Sequence, residues 1–222
     1  MMVTERIRNK IALLGGSFNP PHICHVFIAQ YVLATTDVEQ VWFLPCYQHA
    51  FGKRLAPFEH RFALCQLAVA SFPENRIKVL PLERERQGTS WTIDTVRYVI
   101  RKFPDMRFIW IIGSDVLSEL DKWKDFDQLQ ELISFMIVPR AEAEPVTISQ
   151  LVIHSRSHSS KTRQTLHQLH AQCQELQQQG IFLPDVSSSR IRERIKNGLP
   201  IQHLVPRRVN DYIEKYSLYK ND

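Results

Sequence analysis

The sequence is poor in cysteine and in long apolar runs, and each shortage excludes a class of protein. Its four cysteines stand at positions 24, 46, 65 and 173, and no two of them have the C-x-x-C spacing of a zinc cluster. They offer no disulfide framework, so we expect reduced thiols and a cytoplasmic protein. Residues 1–10 are polar and basic, and the apolar run Ile11–Leu14 is too short for a signal sequence or a membrane span.

The excess of positive over negative charge is also small. The 222 residues carry 28 lysines and arginines against 23 aspartates and glutamates, a formal net charge of +5. Such a balance suits an anionic small ligand, and it does not on its own indicate nucleic-acid binding. The hydrophobic content of 44% is enough for the core of one α/β domain. We therefore predict a single domain over residues 1–222.

Short apolar runs alternate with helical patterns along most of the chain. Strands are predicted at 10–15, 41–45, 77–82, 108–112 and 135–138, and helices at 22–35, 57–71, 92–102, 188–197 and 206–216. This alternation predicts a doubly wound, parallel α/β sheet with helices on both faces and a small C-terminal helical portion. In such folds ligands bind beyond the carboxyl ends of the strands.

Residues 142–179 differ in composition, because they are rich in serine, histidine and glutamine. We predict an insert here, with a polar helix over 164–179. His167 and His170 are three residues apart and could bind a metal ion. A solvated helix face explains the same residues more simply, since no catalytic group accompanies them.

A glycine pair closes the first predicted strand. Gly15 and Gly16 allow a sharp turn and a close approach of the backbone to a ligand. His22 then opens a helix whose first N–H groups and dipole suit a phosphate. His22 and His25 lie on the same side of the first turn and can donate hydrogen bonds to phosphoryl oxygens. Taken as isolated pieces, these residues also fit a glycine turn followed by two incidental histidines, which is the less favoured interpretation.

A serine run precedes a helix far along the chain. Ser187, Ser188 and Ser189 offer hydroxyl groups and helix-start N–H groups to a phosphate. Arg192 adds a guanidinium group that can bind a phosphate in a bidentate manner. Taken alone, this string is better explained as an ordinary N-capped basic helix.

Together the two strings resemble the paired signatures of a known superfamily. Residues 15–25, Gly-Gly-Ser-Phe-Asn-Pro-Pro-His-Ile-Cys-His, resemble (T/S)FxPxHxGH, and residues 186–192, Val-Ser-Ser-Ser-Arg-Ile-Arg, resemble ISSTxIR. Both belong to the nucleotidyltransferases with a Rossmann-like fold. The resemblance implies that His22, His25 and Arg192 are catalytic and hold the triphosphate. It also implies that ATP contacts Gly15, Gly16, Ser17, Phe18, Ser187, Ser188 and Ser189.

Two positions depart from these signatures. Cys24 stands at the glycine of HxGH, and Ser189 stands at the threonine of ISSTxIR. The serine keeps the hydroxyl group. Cys24 adds a side chain where the family leaves room near the nucleotide, so we expect it to weaken or reshape nucleotide binding.

Two further strings resemble the bacterial nicotinate-nucleotide adenylyltransferases. Residues 90–95, Ser-Trp-Thr-Ile-Asp-Thr, resemble SYTxxT, and residues 112–117, Ile-Gly-Ser-Asp-Val-Leu, resemble IGxDxL, with a tryptophan following. The resemblance implies that Gly113 and Asp115 bind ATP, the latter through the ribose hydroxyls. It implies that Thr92 and Trp123 bind the pyridine ring of the acceptor. Asp115 is equally a candidate helix N-cap, and Trp123 a candidate packing residue.

The loop after the second strand is less similar to that family. Relatives carry a Pro-Pro-His-Lys-like run, whereas this chain has Gln-His-Ala-Phe-Gly-Lys-Arg at 48–54. Lys53 is the candidate for the same positive charge, and we predict that it binds the acceptor.

The resemblance implies in-line attack by an acceptor phosphate on the α-phosphorus of ATP. Because that phosphate is already anionic, the reaction needs alignment and charge neutralisation rather than a general base. Mg²⁺ is expected to arrive on the ATP phosphates, since no carboxylate cluster accompanies the first motif. The expected partners are ATP and a small mononucleotide, without nucleic acid or membrane. Two alternatives stay open at this point: transfer to another phosphate acceptor such as phosphopantetheine, and a nucleotide-binding module without catalysis.

Overall fold

The computed structural model describes residues 10–73, 76–140, 159–181 and 183–220. In these ranges five parallel strands form the main sheet, in the order β4-β2-β1-β6-β7. They are β1 (Lys10–Gly16), β2 (Gln40–Pro45), β4 (Ile77–Val79), β6 (Arg107–Gly113) and β7 (Ser134–Val138). Two short strands, β3 (Gln48–His49) and β5 (Thr89–Ser90), pair with each other beside it. The predicted parallel, doubly wound sheet is confirmed.

Helices connect and flank these strands. Their bounds are α1 (Ile23–Thr35), α2 (Phe58–Val69), α3 (Leu82–Arg86), α4 (Thr92–Lys102), α5 (Phe126–Leu132), α6 (Ser160–Gln178), α7 (Ser188–Lys196) and α8 (Arg207–Lys215). A 3-10 helix, Ser114–Lys122, follows β6. No helix of the described ranges is long and apolar enough to cross a membrane.

Side chains of β1 alternate between two cores because successive residues of a strand point to opposite faces. Ala12 and Leu14 pack with residues of α1, α2, α7 and α8. Ile11 and Leu13 pack with the 3-10 helix and with α4, α5 and α6. Helices therefore cover both faces of the sheet, as predicted.

The strand order sets the position of the crevice that such sheets use for ligands. From β1 the chain builds outward through β2 and β4, and it then returns to add β6 and β7 on the other side. The direction in which successive strands are added to the sheet reverses between β1 and β6. The loops that follow these two strands therefore run to opposite faces of the sheet and leave a crevice between them. The first motif follows β1, and Gly113 and Asp115 follow β6.

One predicted strand was too long. The strand expected at 77–82 ends at Val79, and Leu82 begins the short helix α3. Pro81 accounts for the difference, since it has no N–H for a strand ladder and stands at the N-cap of α3. The 3-10 helix and α5 were not predicted either.

The prediction of a solvated helix in the insert was wrong in part. Helix α6 begins at Ser160, earlier than expected, and its N-cap Ser159 accepts a hydrogen bond from the N–H of Thr162 at 3.2 Å. One face packs into the core through Leu166, Leu169 and Cys173, and His170 is buried beside them. In the described ranges, no three His, Cys, Asp or Glu residues group as a metal site. The rest of the predicted insert, 142–158, lies outside the described residues.

Candidate nucleotide and acceptor site

Two neighbouring aromatic side chains lie close against the glycine turn. A Cβ atom at Gly15 would lie 2.5 Å from the indole of Trp110, which is buried on the neighbouring strand β6. A Cβ at Gly16 would lie 3.2 Å from the ring of Phe18. Phe18 has a φ of +45° and is itself buried, with its ring edge-on to His25 at 4.9 Å. We therefore expect Phe18 to support His25, and any contact with ATP to involve its backbone.

The two histidines of the first motif form one unit. His22 is the N-cap of α1, and its ring centroid lies 3.7 Å from that of His25. The backbone N–H of His22 donates to Nδ1 of His25 at 3.1 Å. In a neutral imidazole the proton of His25 is then carried by Nε2, which leaves that atom as a donor.

Both imidazoles are held in the neutral state. Burial, aided by the charge of Arg140, lowers the pKa of His22 from 6.5 to about 3. Burial also lowers the pKa of His25 well below its usual value, with contributions from His22 and Arg140. The pair can therefore donate hydrogen bonds to phosphoryl oxygens, and positive charge must come from other groups.

Because the folded protein keeps His22 neutral, we predict that this residue costs stability in acid. Between pH 6.5 and about 3, the unfolded chain binds a proton at His22 that the folded chain does not bind. The free energy of unfolding therefore decreases as the pH is lowered through this range. His22→Gln should make this acid-side slope shallower by up to about 1.4 kcal/mol per pH unit. Denaturant titrations at several pH values measure the slope, with the exposed His203→Gln as control. Equal slopes in the wild type and His22→Gln would contradict the assignment.

The side chain of Cys24 packs into the core, and its predicted effect on nucleotide binding stays a prediction. Its side chain is buried in the core that Val186 also joins, and its Sγ lies 3.5 Å from the carbonyl oxygen of Pro184. The extra side chain therefore packs against the segment that leads to the second motif.

The second motif contacts the first directly. Ser187 is the N-cap of α7, and Ser188 donates its hydroxyl to the carbonyl oxygen of Pro20 at 2.7 Å. Arg192 donates from Nη1 to the carbonyl oxygen of Asn19 at 2.8 Å and from Nη2 to Ser189 Oγ at 3.3 Å. Two segments far apart in the sequence thus meet where a triphosphate would need both.

Asp115 lies in the first turn of the 3-10 helix. The N-cap of that helix is Gly113, so the alternative that Asp115 is the cap was wrong. A Cβ at Gly113 would overlap Asp115 Oδ1. A side chain at position 113 would therefore displace this carboxylate from its observed position. An ion pair of 3.4 Å joins Asp115 Oδ2 to Nη1 of Arg140, a residue that the sequence did not single out.

A cavity of about 300 Å³ adjoins the glycine turn. Thr92 and Trp123, the two predicted ring-binding residues, both line it, together with Trp91 and Phe51. Lys53 is not among its lining residues, whereas Lys124 is. The 48–54 loop therefore contributes to the cavity through His49, Ala50 and Phe51 rather than through the predicted lysine.

A buried carboxylate beside this cavity was also missed. Glu83 is 5% exposed. Its Oε2 accepts from the N–H of Tyr47 at 3.2 Å, and its Oε1 accepts from the hydroxyl of Thr95 at 3.1 Å. Burial raises its pKa, and hydrogen bonds from Ser90, Thr95 and Tyr47 oppose that rise. Glu83 thus joins the end of β2 to the start of α4.

Fold and motifs together define a nucleotidyltransferase with a Rossmann-like sheet. The family model for cytidylyltransferase-like proteins matches residues 13–194, a range that contains both motifs.

Individual relatives identify the family within this class. A protein of Myxococcus xanthus (strain DK1622) named "Probable nicotinate-nucleotide adenylyltransferase" is 36% identical over 211 residues, 95% of this chain and 94% of the relative. A protein of the same name from Halalkalibacterium halodurans is 34% identical over 218 residues, 96% of this chain and 92% of the relative. The chain therefore belongs to the nicotinate-nucleotide adenylyltransferase family, and the family predicted from the motifs is confirmed.

A solved structure shares the fold. Plasmodium falciparum nicotinic acid mononucleotide adenylyltransferase complexed with NaAD superposes with a TM-score of 0.70, over 97% of this chain and 99% of that chain. The sequence identity is 18%, so this likeness supports the fold alone.

Proposed function

We propose that this chain transfers the adenylyl group of ATP to nicotinate mononucleotide, giving deamido-NAD and pyrophosphate. One observation carries the proposal. The turn that precedes the histidine pair, Gly15–Ser17, also lines the aromatic cavity. An acceptor in the cavity and a triphosphate at the histidines would therefore meet at this turn, as in-line transfer requires.

In the proposed complex the triphosphate lies between the two motifs. Neutral His22 and His25 donate hydrogen bonds to its oxygens, and Arg192 supplies a guanidinium group. Asp115 accepts from the ribose hydroxyls. The remaining proposed ATP contacts are Gly15, Gly16, Ser17, Phe18, Gly113, Ser187, Ser188 and Ser189.

The chemistry follows from this alignment. An anionic oxygen of the acceptor phosphate attacks the α-phosphorus of ATP, and the bond between that phosphorus and the bridging oxygen of the leaving group breaks. Pyrophosphate leaves with the bonding electron pair. No proton has to be removed from the nucleophile, so the protein's task is to position the reactants and neutralise charge.

Mg²⁺ enters this proposal with ATP. The described ranges offer no group of three or more His, Cys, Asp or Glu residues that could hold a metal ion. Magnesium commonly binds substrate phosphates and keeps several waters, so a triphosphate can carry it without a dedicated protein site. There it would neutralise charge on the phosphates.

The start of α4 suits the carboxylate of nicotinate. Thr92 is the first residue of this helix and lines the cavity, and the N-cap Trp91 provides no side-chain cap. First-turn N–H groups and the helix dipole attract a carboxylate more than a neutral amide. Lys124 lines the same wall but pairs with Asp94 at 3.0 Å, so the preference rests on the helix start rather than on net positive charge. These features favour nicotinate over nicotinamide mononucleotide.

The test offers ATP with nicotinate mononucleotide, nicotinamide mononucleotide or phosphopantetheine and measures pyrophosphate release. We expect the highest kcat/KM with nicotinate mononucleotide. A higher value with phosphopantetheine would overturn the acceptor assignment. Binding of ATP without pyrophosphate release from any acceptor would identify a non-catalytic nucleotide-binding module.

Trp123→Ala should weaken acceptor binding with little effect on ATP. The indole lines the cavity and packs edge-on against Phe135 at 6.5 Å, so that it presents a rigid wall to a flat ring. Loss of one stacking partner costs about 1–3 kcal/mol, and we expect KM for nicotinate mononucleotide to rise roughly 5–150-fold. Trp123→Phe is the matched control and should retain most of the affinity. Equal KM values for the wild type and Trp123→Ala would exclude the stacking role.

A further inference from the structure

Arg140 lies two residues beyond β7, at the carboxyl edge of the sheet, and its backbone is fixed from two sides. Its N–H donates to Ser114 Oγ at 2.9 Å, at the start of the 3-10 helix. Arg140 also forms a parallel bridge with Leu183, whose N–H donates to the carbonyl oxygen of Pro139 at 2.8 Å. It is therefore held between the loop that follows β6 and the segment that leads to the second motif.

The guanidinium group of Arg140 lies over the crevice. Its Nη1 is 3.4 Å from Asp115 Oδ2, and its Nε is 3.5 Å from where a Cβ at Gly113 would be. The side chain is 27% exposed. Its positive charge reaches both His22 and His25, because it lowers the pKa of each. The group therefore contacts the carboxylate proposed to bind the ribose, and its charge acts on the histidines proposed to bind the phosphates.

The ion pair with Asp115 leaves N–H donors of Arg140 available to a ligand. A charge-assisted hydrogen bond between guanidinium and carboxylate is typically about 2.7–2.9 Å long, shorter than the 3.4 Å observed. A guanidinium group carries five N–H donors, so one loose ion pair does not use up its capacity.

We propose that Arg140 is a further catalytic residue, whose guanidinium group binds the α-phosphoryl group of ATP. The proposal rests on the function proposed above. In ATP the α-phosphorus joins the ribose 5′ oxygen to the other two phosphates. With the ribose at Asp115 and the triphosphate at the histidines, the α-phosphoryl group lies between them, and a guanidinium group that contacts Asp115 can reach it.

Arg140 then has a defined role in the transfer. Negative charge on the non-bridging α-phosphoryl oxygens must be balanced while the acceptor oxygen approaches and pyrophosphate leaves. Neutral His22 and His25 can donate hydrogen bonds there but bring no charge. A fixed cation beside them stabilises the transition state without reorganisation.

The test compares Arg140→Gln and Arg140→Lys with the wild type, using ATP and the two diastereomers of ATPαS as substrates with nicotinate mononucleotide. Sulfur replaces a different non-bridging oxygen in each diastereomer, so an arginine that contacts one oxygen makes the two react at different rates. We expect Arg140→Gln to lower kcat by about 10²–10³-fold. We also expect its ratio of rates between the diastereomers to change by about tenfold or more. Arg140→Lys should retain more activity with an intermediate ratio.

The controls separate the ways in which this proposal could fail. Arg107→Gln, at an exposed position at the start of β6, should behave as the wild type. If Arg140→Gln loses activity with an unchanged diastereomer ratio, or keeps wild-type kcat, the α-phosphoryl contact is wrong. If Arg140→Gln does not fold, the ratio in Arg140→Lys decides in the same way. Failure of the wild type itself to form a dinucleotide would overturn the proposed function instead.

Discussion

His25→Ala is expected to lower turnover by roughly 10²–10³-fold at saturating ATP. The structure makes His25 a donor through Nε2, because its Nδ1 accepts the N–H of His22 at 3.1 Å. Alanine removes this donor from the triphosphate and leaves the His22 N–H without its acceptor. Steady-state kinetics with ATP and nicotinate mononucleotide measure the loss.

The expected stability of His25→Ala and a control variant distinguish a loss of catalysis from a loss of folding. Loss of the contact at the helix start should cost only about 1 kcal/mol of stability, so the variant is expected to fold. Gln30→Ala, at an exposed position on the same helix, is the matched control and should keep wild-type turnover. Wild-type turnover in a folded His25→Ala protein would show that the imidazole does not touch the phosphates.

Arg192→Lys is expected to lower kcat/KM for ATP by roughly 10²-fold. The guanidinium group joins the second motif to the first through a bond of 2.8 Å to the carbonyl oxygen of Asn19, and it also donates to Ser189 Oγ at 3.3 Å within the second motif. Lysine keeps the charge but has no planar fork, so it cannot hold this bridge and bind a phosphate in a bidentate manner. Kinetics with varied ATP give the change in kcat/KM.

Arg194→Lys supplies the control for this second prediction. Arg194 lies on the same helix, α7, and its Nε donates to the carbonyl oxygen of Pro200 at 3.0 Å, away from the first motif. We expect this variant to retain wild-type kcat/KM. If Arg192→Lys is less stable but has unchanged kinetics with ATP, Arg192 only joins the two motifs and binds no phosphate.

Local patterns were sufficient to predict the elements that carry the two motifs. The apolar run of β1, the glycine pair and the spacing of His22 and His25 are all features of adjacent residues, and the structure has the strand, turn and helix in those places. The N-cap at Ser187 follows from a serine before a basic helix in the same way. That the motifs meet was inferred from family resemblance, because periodicity carries no information about contacts between distant segments.

Residues that act through the order of the strands could not be predicted from local patterns. Arg140 reaches the crevice because β7 pairs with β6, and nothing near position 140 indicates that pairing. Glu83 stands in the charged run Leu-Glu-Arg-Glu-Arg, which is typical of a solvated helix, yet it is buried. Lys53 belongs to a loop that lines the cavity but does not line it itself, because side-chain direction in a loop depends on the packing of the whole cavity.

Cys24 is a departure from the first signature whose packing could not be predicted from the sequence. The sequence indicates only that a side chain replaces the family's glycine. The structure shows that this side chain packs toward Pro184 and Val186. The substitution therefore affects the contact between the two motif-bearing segments, and its effect on nucleotide binding stays a prediction.

The most direct measurement follows the fate of two labelled phosphates. Purified protein is incubated with nicotinate mononucleotide and either α-labelled or γ-labelled ATP, and the products are separated. Adenylyl transfer predicts that the α label appears in a dinucleotide and the γ label in pyrophosphate. Appearance of the γ label in the acceptor or in free phosphate, or of the α label in ADP, would contradict attack at the α-phosphorus.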